Sequence, residues 1–253
     1  MAANSVWLAM TDEERSRVRR NAPMVRKERR AAALSNAASA RPNVIIDLAF
    51  DQFMTDQQVA SLARQLCLCH AASKRSQPAI TYCLSSYGGR LERQVGRIHG
   101  SSAWPVAMHR RAFLDVANAY PGGSARLVYL SAEGEETLSS FDPESIYIIG
   151  GLVDRNRHKG LTYRRAQAAG VRTARLPLDE HITLKNADAL GRAGALTVNH
   201  CFEMLTQRAQ GRTWEDAILD VMPRRRGAVP RDHEPATLSD CPLSCDDLHA
   251  RIL

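Results

Sequence analysis

No run of apolar residues in this sequence reaches the ~18 that a membrane-crossing helix needs. Met1 to Met10 lack the basic start and apolar stretch of a secretory signal. The six cysteines, Cys67, Cys69, Cys83, Cys201, Cys241 and Cys245, form no C-x-x-C pair and no zinc-ribbon spacing. On a helix Cys67 and Cys69 point away from each other, so Cys67-Leu68-Cys69-His70 makes a poor metal site and no metal is expected. The chain also lacks a G-x-G-x-x-G fingerprint, a P-loop, a G-x-S-x-G elbow, an H-E-x-x-H pair and any paired-carboxylate motif. These absences remove the usual support for nicotinamide, nucleotide-hydrolysing, serine and metal chemistry.

What is present describes a reduced globular protein with a basic balance. The hydrophobic fraction is 44%, and 34 Lys and Arg face 27 Asp and Glu for a formal charge of +7. The pI near 9.3 suits a polyanionic partner without requiring one. Eight of the cations fall between Arg15 and Arg30, Arg26 and Lys27 among them. Residues 1–41 therefore read as a basic leader, either a solvated helix or a disordered arm that meets phosphates. Its Arg and Ala resemble a matrix-targeting segment, but Glu13, Glu14 and Glu28 count against that. The expected compartment is the nucleus or cytoplasm, with the mitochondrion left open.

From Asn43 onward strands and helices alternate, predicting an α/β domain over 42–227 with a largely parallel sheet. Strand-like runs occupy 44–50, 79–84, 125–130, 145–149 and 171–176. Thr55-Asp-Gln-Gln58 matches a capping box ahead of a helix carrying Val59, Leu62, Ala63, Leu66 and Cys69 at helical spacing. Helices are also expected from Leu161 to Ala169, closed by Gly170, from Leu196 to Gln210, and from Thr213 to Met222 behind a second capping box. Residues 90–123 show no clear pattern, and 228–253 are rich in Pro, Asp and Ser, as a flexible tail would be.

The densest chemistry lies in Tyr147-Ile-Ile-Gly-Gly-Leu-Val-Asp-Arg-Asn-Arg-His-Lys-Gly160. An apolar strand ends in Gly150 and Gly151, followed by Asp154 among Arg155, Arg157 and Lys159. Ligands of open α/β sheets lie beyond the carboxyl ends of strands, and glycines there permit close approach to the main chain. The plainer alternative is that Asp154 caps a turn amid surface cations.

This window, with Thr-Ala-Arg-Leu-Pro-Leu-Asp-Glu (173–180), Leu-Thr-Val-Asn-His (196–200) and the run from Asp216 to Gly227, resembles the Trm10 family of tRNA methyltransferases in the SPOUT superfamily. Weaker similarity reaches back through Ile46–Asp51 and Ser61–Gln65. The resemblance implies a parallel sheet with a C-terminal trefoil knot, a known exception to the rule against threaded chains. It implies S-adenosylmethionine held by Leu130, Ser131, Gly150 and Gly151, then by Leu176 to Ile182 including His181, then by Leu196 and Thr197. Asn156 and Lys159 join that set. It implies N1 methylation of the purine at position 9 of tRNA, commonly guanine, with Asp154 as general base and Asp47 and Gln65 on the active-site side. For Asp47 a turn residue at a strand end, and for Gln65 a plain surface amide, are the competing readings. Lys74, Arg75, Arg155 and Arg157, with Arg26 and Lys27 of the leader, are the expected RNA contacts. Leu68 stands where relatives commonly carry Arg. N1 methylation of adenine, or a non-catalytic tRNA-binding subunit, are the alternatives, and a monomer is expected.

Overall fold

The computed structural model describes residues 10–76, 80–154, 157–184, 196–223 and 227–231, without the side chains of Arg26, residues 29–39 and Leu184. In chain order the elements are α1 (Asp12–Ser39), β1 (Val44–Asp47), α2 (Asp56–Arg75), β2 (Tyr82–Ser85), α3 (Gly89–Gly96) and β3 (Ala107–Met108). Then come α4 (Phe113–Ala117), β4 (Leu127–Leu130), β5 (Glu136–Thr137), β6 (Ile146–Gly150), α5 (Leu161–Ala168) and β7 (Arg172–Arg175). The chain closes with α6 (Leu178–His181), β8 (Ile182–Leu184), α7 (Val198–Ala209), α8 (Trp214–Val221) and β9 (Ala228–Pro230).

Seven strands form one parallel sheet in the order β3-β2-β1-β6-β4-β7-β5. β6 inserts between β1 and β4, so its carboxyl end emerges in the middle of the sheet. Both faces are covered, which explains why the central strands read as unbroken apolar runs rather than alternating ones. Val44 and Ile46 face a large cluster with Leu62 and Leu66 of α2, Phe202 and Leu205 of α7, and Trp214 of α8. Ile45 and Ile148 face a smaller cluster with Phe113 of α4, Tyr129 of β4 and Ala166 of α5.

The local signals act as their chemistry dictates. Thr55 accepts from Gln58 N at 3.3 Å, and the Gln58 side chain accepts from Thr55 N at 2.7 Å, completing the capping box. The second box forms by half: Thr213 accepts from Asp216 N at 3.1 Å, but the Asp216 carboxylate takes the Thr213 hydroxyl proton instead of the backbone one. Gly170 closes α5 with a φ of 64°, and Val171 N reaches back to Ala166 O at 3.0 Å.

Two findings depart from the sequence reading, and one decides between its alternatives. The unassigned stretch holds α3, β3 and α4, each too short to display a period. Of the two readings of the leader, the solvated helix is the one found for most of its described residues, as α1, with Val18, Met24 and Val25 exposed. Beyond residue 227, β9 pairs antiparallel with β8, so ordered structure extends past the expected start of the tail.

Candidate active site

The carboxyl edge of β1, β6 and β4 assembles the site. Gly151 N donates to Asp47 O at 2.7 Å, locking the first residue after β6 onto the end of β1. A Cβ on Gly150 would lie 2.5 Å from Thr162 Cγ2, and one on Gly151 would lie 2.6 Å from Leu48 Cδ2. The two glycines are therefore demanded by the protein's own packing, not only by a ligand, which corrects the sequence argument for them. Val153 N then points at Met54 Sδ, 3.4 Å away.

Asp154 follows, half-buried. Its Oδ2 accepts from His158 N at 2.7 Å and its carbonyl accepts from Arg157 N at 3.2 Å, while the His158 ring meets Phe53 edge-on at 5.5 Å. Asp154 thus does cap a turn, as the plainer reading held. The same bond fixes its carboxylate at the strand edge, so structural and chemical roles coexist. Arg157 and Lys159 are exposed around it. Arg155 and Asn156 lie outside the described residues.

The apolar residues of the other expected loops belong to the main core. Leu130, Leu178 and Ile182 are buried in a single cluster with Leu176 and Leu196 packed against it. Ser131 follows β4, its N donating to Ala174 O at 3.0 Å and its hydroxyl donating to Glu133 Oε2 at 2.8 Å, 3.0 Å from Thr162 Oγ1. Glu133 Oε1 also accepts from Gly160 N at 3.0 Å, tying the loop after β4 to the loop of Asp154. Glu133 was not singled out from the sequence. The contacts it makes, to the Ser131 hydroxyl and the Gly160 backbone N–H, carry no signal in the local sequence. Half-buried His181 lends its carbonyl to Arg231 N at 2.9 Å, so the strand region after 227 covers this second loop. Thr197 caps α7 by position, but its hydroxyl donates to Asn199 Oδ1 at 2.8 Å.

The other two expected catalytic residues lie at the end of β1 and within α2. Asp47 is fully buried. Its carboxylate takes Arg165 Nε at 2.5 Å and the Tyr129 hydroxyl at 3.0 Å, and Arg165 lies between the rings of Phe50 and Phe113. Burial, then the charge of Asp47, hold the Tyr129 phenol well above its ordinary range and protonated. A carboxylate so engaged holds the end of β1, and its Oδ1 also accepts from Ala49 N at 3.3 Å, so Asp47 caps the turn at the strand end as the plainer reading held. Gln65 is buried as well, not a surface amide. Its Oε1 accepts from Val198 N at 2.9 Å, which makes it a positioning residue for the third loop.

The cations are dispersed. Lys74 and Arg75 sit at the far end of α2, whose 20 residues span about 30 Å from the edge where Asp154 lies. Lys27 is exposed on α1, and the Arg26 side chain lies outside those described. Trp104 and Trp214 are packing residues, the first stacked on His70 at 5.0 Å, the second donating to Ser139 O at 2.9 Å. Among the described residues no three His, Cys, Asp or Glu gather as metal ligands, and no helix is long and apolar enough to cross a membrane.

Known proteins are similar to this chain in sequence and fold. A family model described as tRNA (guanine(9)-N(1))-methyltransferase TRM10/TRM10A matches residues 8–227. The tRNA (guanine(9)-N1)-methyltransferase of Schizosaccharomyces pombe is 29% identical over 228 residues, 90% of this chain and 73% of the relative. The human tRNA methyltransferase 10 homolog A is 30% identical over 194 residues, 75% of this chain and 53% of the relative. The chain thus spans about half the length of that human relative. The crystal structure of spTrm10(74) superposes with a TM-score of 0.64 at 32% identity, covering 72% of this chain and 96% of that one. The α/β fold with its mostly parallel central sheet flanked by helices is the fold of those structures. With the family match spanning the leader helix, the sheet and the closing helices, the chain belongs to the TRM10/TRM10A family of tRNA (guanine(9)-N(1))-methyltransferases.

Proposed function

We propose that this protein transfers a methyl group from S-adenosylmethionine to N1 of guanine at position 9 of tRNA. The activity is the one for which its relatives are named. A full-length spTrm10 structure 32% identical to this chain is a complex with SAH, the demethylated form of that donor. The residues fit such a ligand: Leu130, Leu176 and Leu196 offer an apolar shelf for adenine, and Ser131, Thr197 and Glu133 offer hydroxyls and a carboxylate for ribose and ammonium groups. We also infer that the C-terminal segment from β6 to α7 is threaded as a SPOUT trefoil knot, which would bring these three loops to one place.

When bound, S-adenosylmethionine supplies a methyl group made electrophilic by its sulfonium. The remaining task falls to the chain. N1 of neutral guanine carries a proton, and its electron pair attacks only as that proton leaves. The carrying observation is Asp154, half-buried at the strand edge with Oδ2 held by His158 N. Its carboxylate accepts the N1 proton at hydrogen-bond distance, a contribution of roughly 10²–10⁴ in rate. Holding base and donor in line lowers the barrier further.

Unmodified tRNA with guanine at position 9, incubated with labelled S-adenosylmethionine, should gain N1-methylguanosine there and nowhere else. Absence of incorporation, or label at another nucleotide, would remove the reading.

A further inference from the structure

A cleft of about 510 Å³ opens at the carboxyl ends of β1 and β2, lined by Leu48, Ala49, Gln52, Tyr87, Arg90 and Arg110 among others. Asp154 and the loops at Leu130, Leu176 and Leu196 do not line it, so it is not where the methyl group moves. It is nevertheless a neighbour of that site. Leu48, in its wall, is the side chain against which Gly151 packs, and Phe53, next to Gln52, meets the ring of His158.

Its chemistry is that of a planar ring with polar edges. Leu48 and Ala49 contribute apolar lining, half-buried Tyr87 an aromatic ring, Asp51 a carboxylate, and exposed Gln52 both a donor and an acceptor. The cations are already engaged. Arg90 pairs with Asp56 at 2.9 Å and Asp51 at 3.5 Å, and Arg110 pairs with both oxygens of Glu92 at 2.9 and 3.0 Å. A cleft so neutralised suits a base better than a lone phosphate, with exposed Arg111 beside it for the backbone. The wall is also held in an uncommon shape. Ser86, a non-glycine at φ 52°, is fixed by Ser86 N to Arg111 O at 2.8 Å and Tyr87 N to His109 O at 2.9 Å.

We infer that this cleft takes the unstacked base of a tRNA nucleotide adjacent to the methylated one, stacked on Tyr87 and read at its edge by Gln52. Single-stranded bases are commonly held in this way. The inference rests on the proposed tRNA activity.

The test measures turnover with tRNA carrying an abasic site on either side of the methylated nucleotide, against wild type, Tyr87→Ala and Tyr87→Phe. Tyr87→Ala should raise the KM for tRNA about tenfold, equivalent to about 1.4 kcal/mol. The KM for S-adenosylmethionine should stay unchanged, and Tyr87→Phe, which keeps the ring, should behave as wild type. One abasic tRNA should show the same tenfold loss with wild type and no further loss with Tyr87→Ala. An unaltered KM in Tyr87→Ala, or full additivity with both abasic tRNAs, would overturn the cleft assignment. Should Tyr87→Ala fail to fold, Gln52→Ala at the exposed rim carries the same comparison. Wild-type protein that binds tRNA with this dependence yet transfers no methyl group would defeat the proposed activity and leave the cleft standing. Turnover indifferent to Tyr87, Gln52 and both flanking bases would do the reverse.

Discussion

Gln65 and Val198 meet across the core of the molecule, the Gln65 side-chain oxygen accepting the Val198 N–H at 2.9 Å over 133 residues of sequence. The first N–H groups of a helix need an external acceptor, and the residue before the helix usually supplies it. Here Thr197 spends its hydroxyl on Asn199, and an amide from the middle of α2 takes the place of the cap. The start of α7, and with it the Leu196–Thr197 loop, is thereby set by another helix.

Gln65→Ala leaves that buried N–H without a partner, at a cost of ~1–3 kcal/mol. The melting temperature should fall by about 2–4 °C for each kcal/mol at this chain length. The KM for S-adenosylmethionine should rise more than kcat falls, because the third loop loses its anchor. Gln65→Glu keeps an oxygen, and a negative charge suits a helix N-terminus, so it should remain close to wild type. Identical melting of the Ala variant and wild type would remove the positioning role.

Asp154→Asn separates the two functions of its side chain. The amide oxygen still accepts from His158 N, so the turn and the melting temperature should survive. Proton acceptance is lost, and turnover on guanine should fall by roughly 10²–10⁴. Methyl incorporation at an undiminished rate would dismiss Asp154 as the base. Adenine N1 bears no proton, so any activity on a tRNA with adenine at that position should be far less sensitive to the change.

Arg165→Met tests the buried pair with Asp47. Asp47 has no exposed side-chain surface and Arg165 keeps about a third of its own, so removing the cation strands a carboxylate in the core. The expected loss is about 3 kcal/mol, near the low end for a broken buried pair because Tyr129 still donates to Asp47. Asp47→Asn combined with Arg165→Met should recover part of it in thermal melting. Unchanged stability with abolished turnover in Asp47→Asn would instead return that carboxylate to the chemistry.

Gly150→Ala drives its new methyl into Thr162 Cγ2, at 2.5 Å, and should cost about 1–3 kcal/mol by overpacking. Thr162→Ser removes that methyl and retains the hydroxyl beside Ser131. The double variant should therefore be more stable than Gly150→Ala alone, by a coupling that denaturant unfolding can read. Simple additivity of the two substitutions would show that the glycine answers to something other than this contact.

Much of the fold was legible because the elements that matter are long enough to carry a period. The apolar runs at 44–47, 127–130 and 146–149, the box at Thr55 and the closing Gly170 appear in the structure with ends shifted by a few residues. The stretch from Gly89 to Ala117 was not legible. α3 has eight residues, α4 five and β3 two, so neither periodicity nor capping can register.

Of the site, the local chain determined the glycine-to-acid turn at the end of β6, where Asp154 accepts from His158 N four residues on. That is a contact whose partners lie close in sequence. Only the tertiary structure decided that Asp47 faces Arg165 and Tyr129 in the interior, that Gln65 caps α7, and that Lys74 and Arg75 lie far from Asp154. The reason is physical: a side chain's role depends on which face of a strand or helix it occupies and what packs there. That is settled by the strand order β2-β1-β6-β4, which brings distant segments together and which no short window of residues encodes.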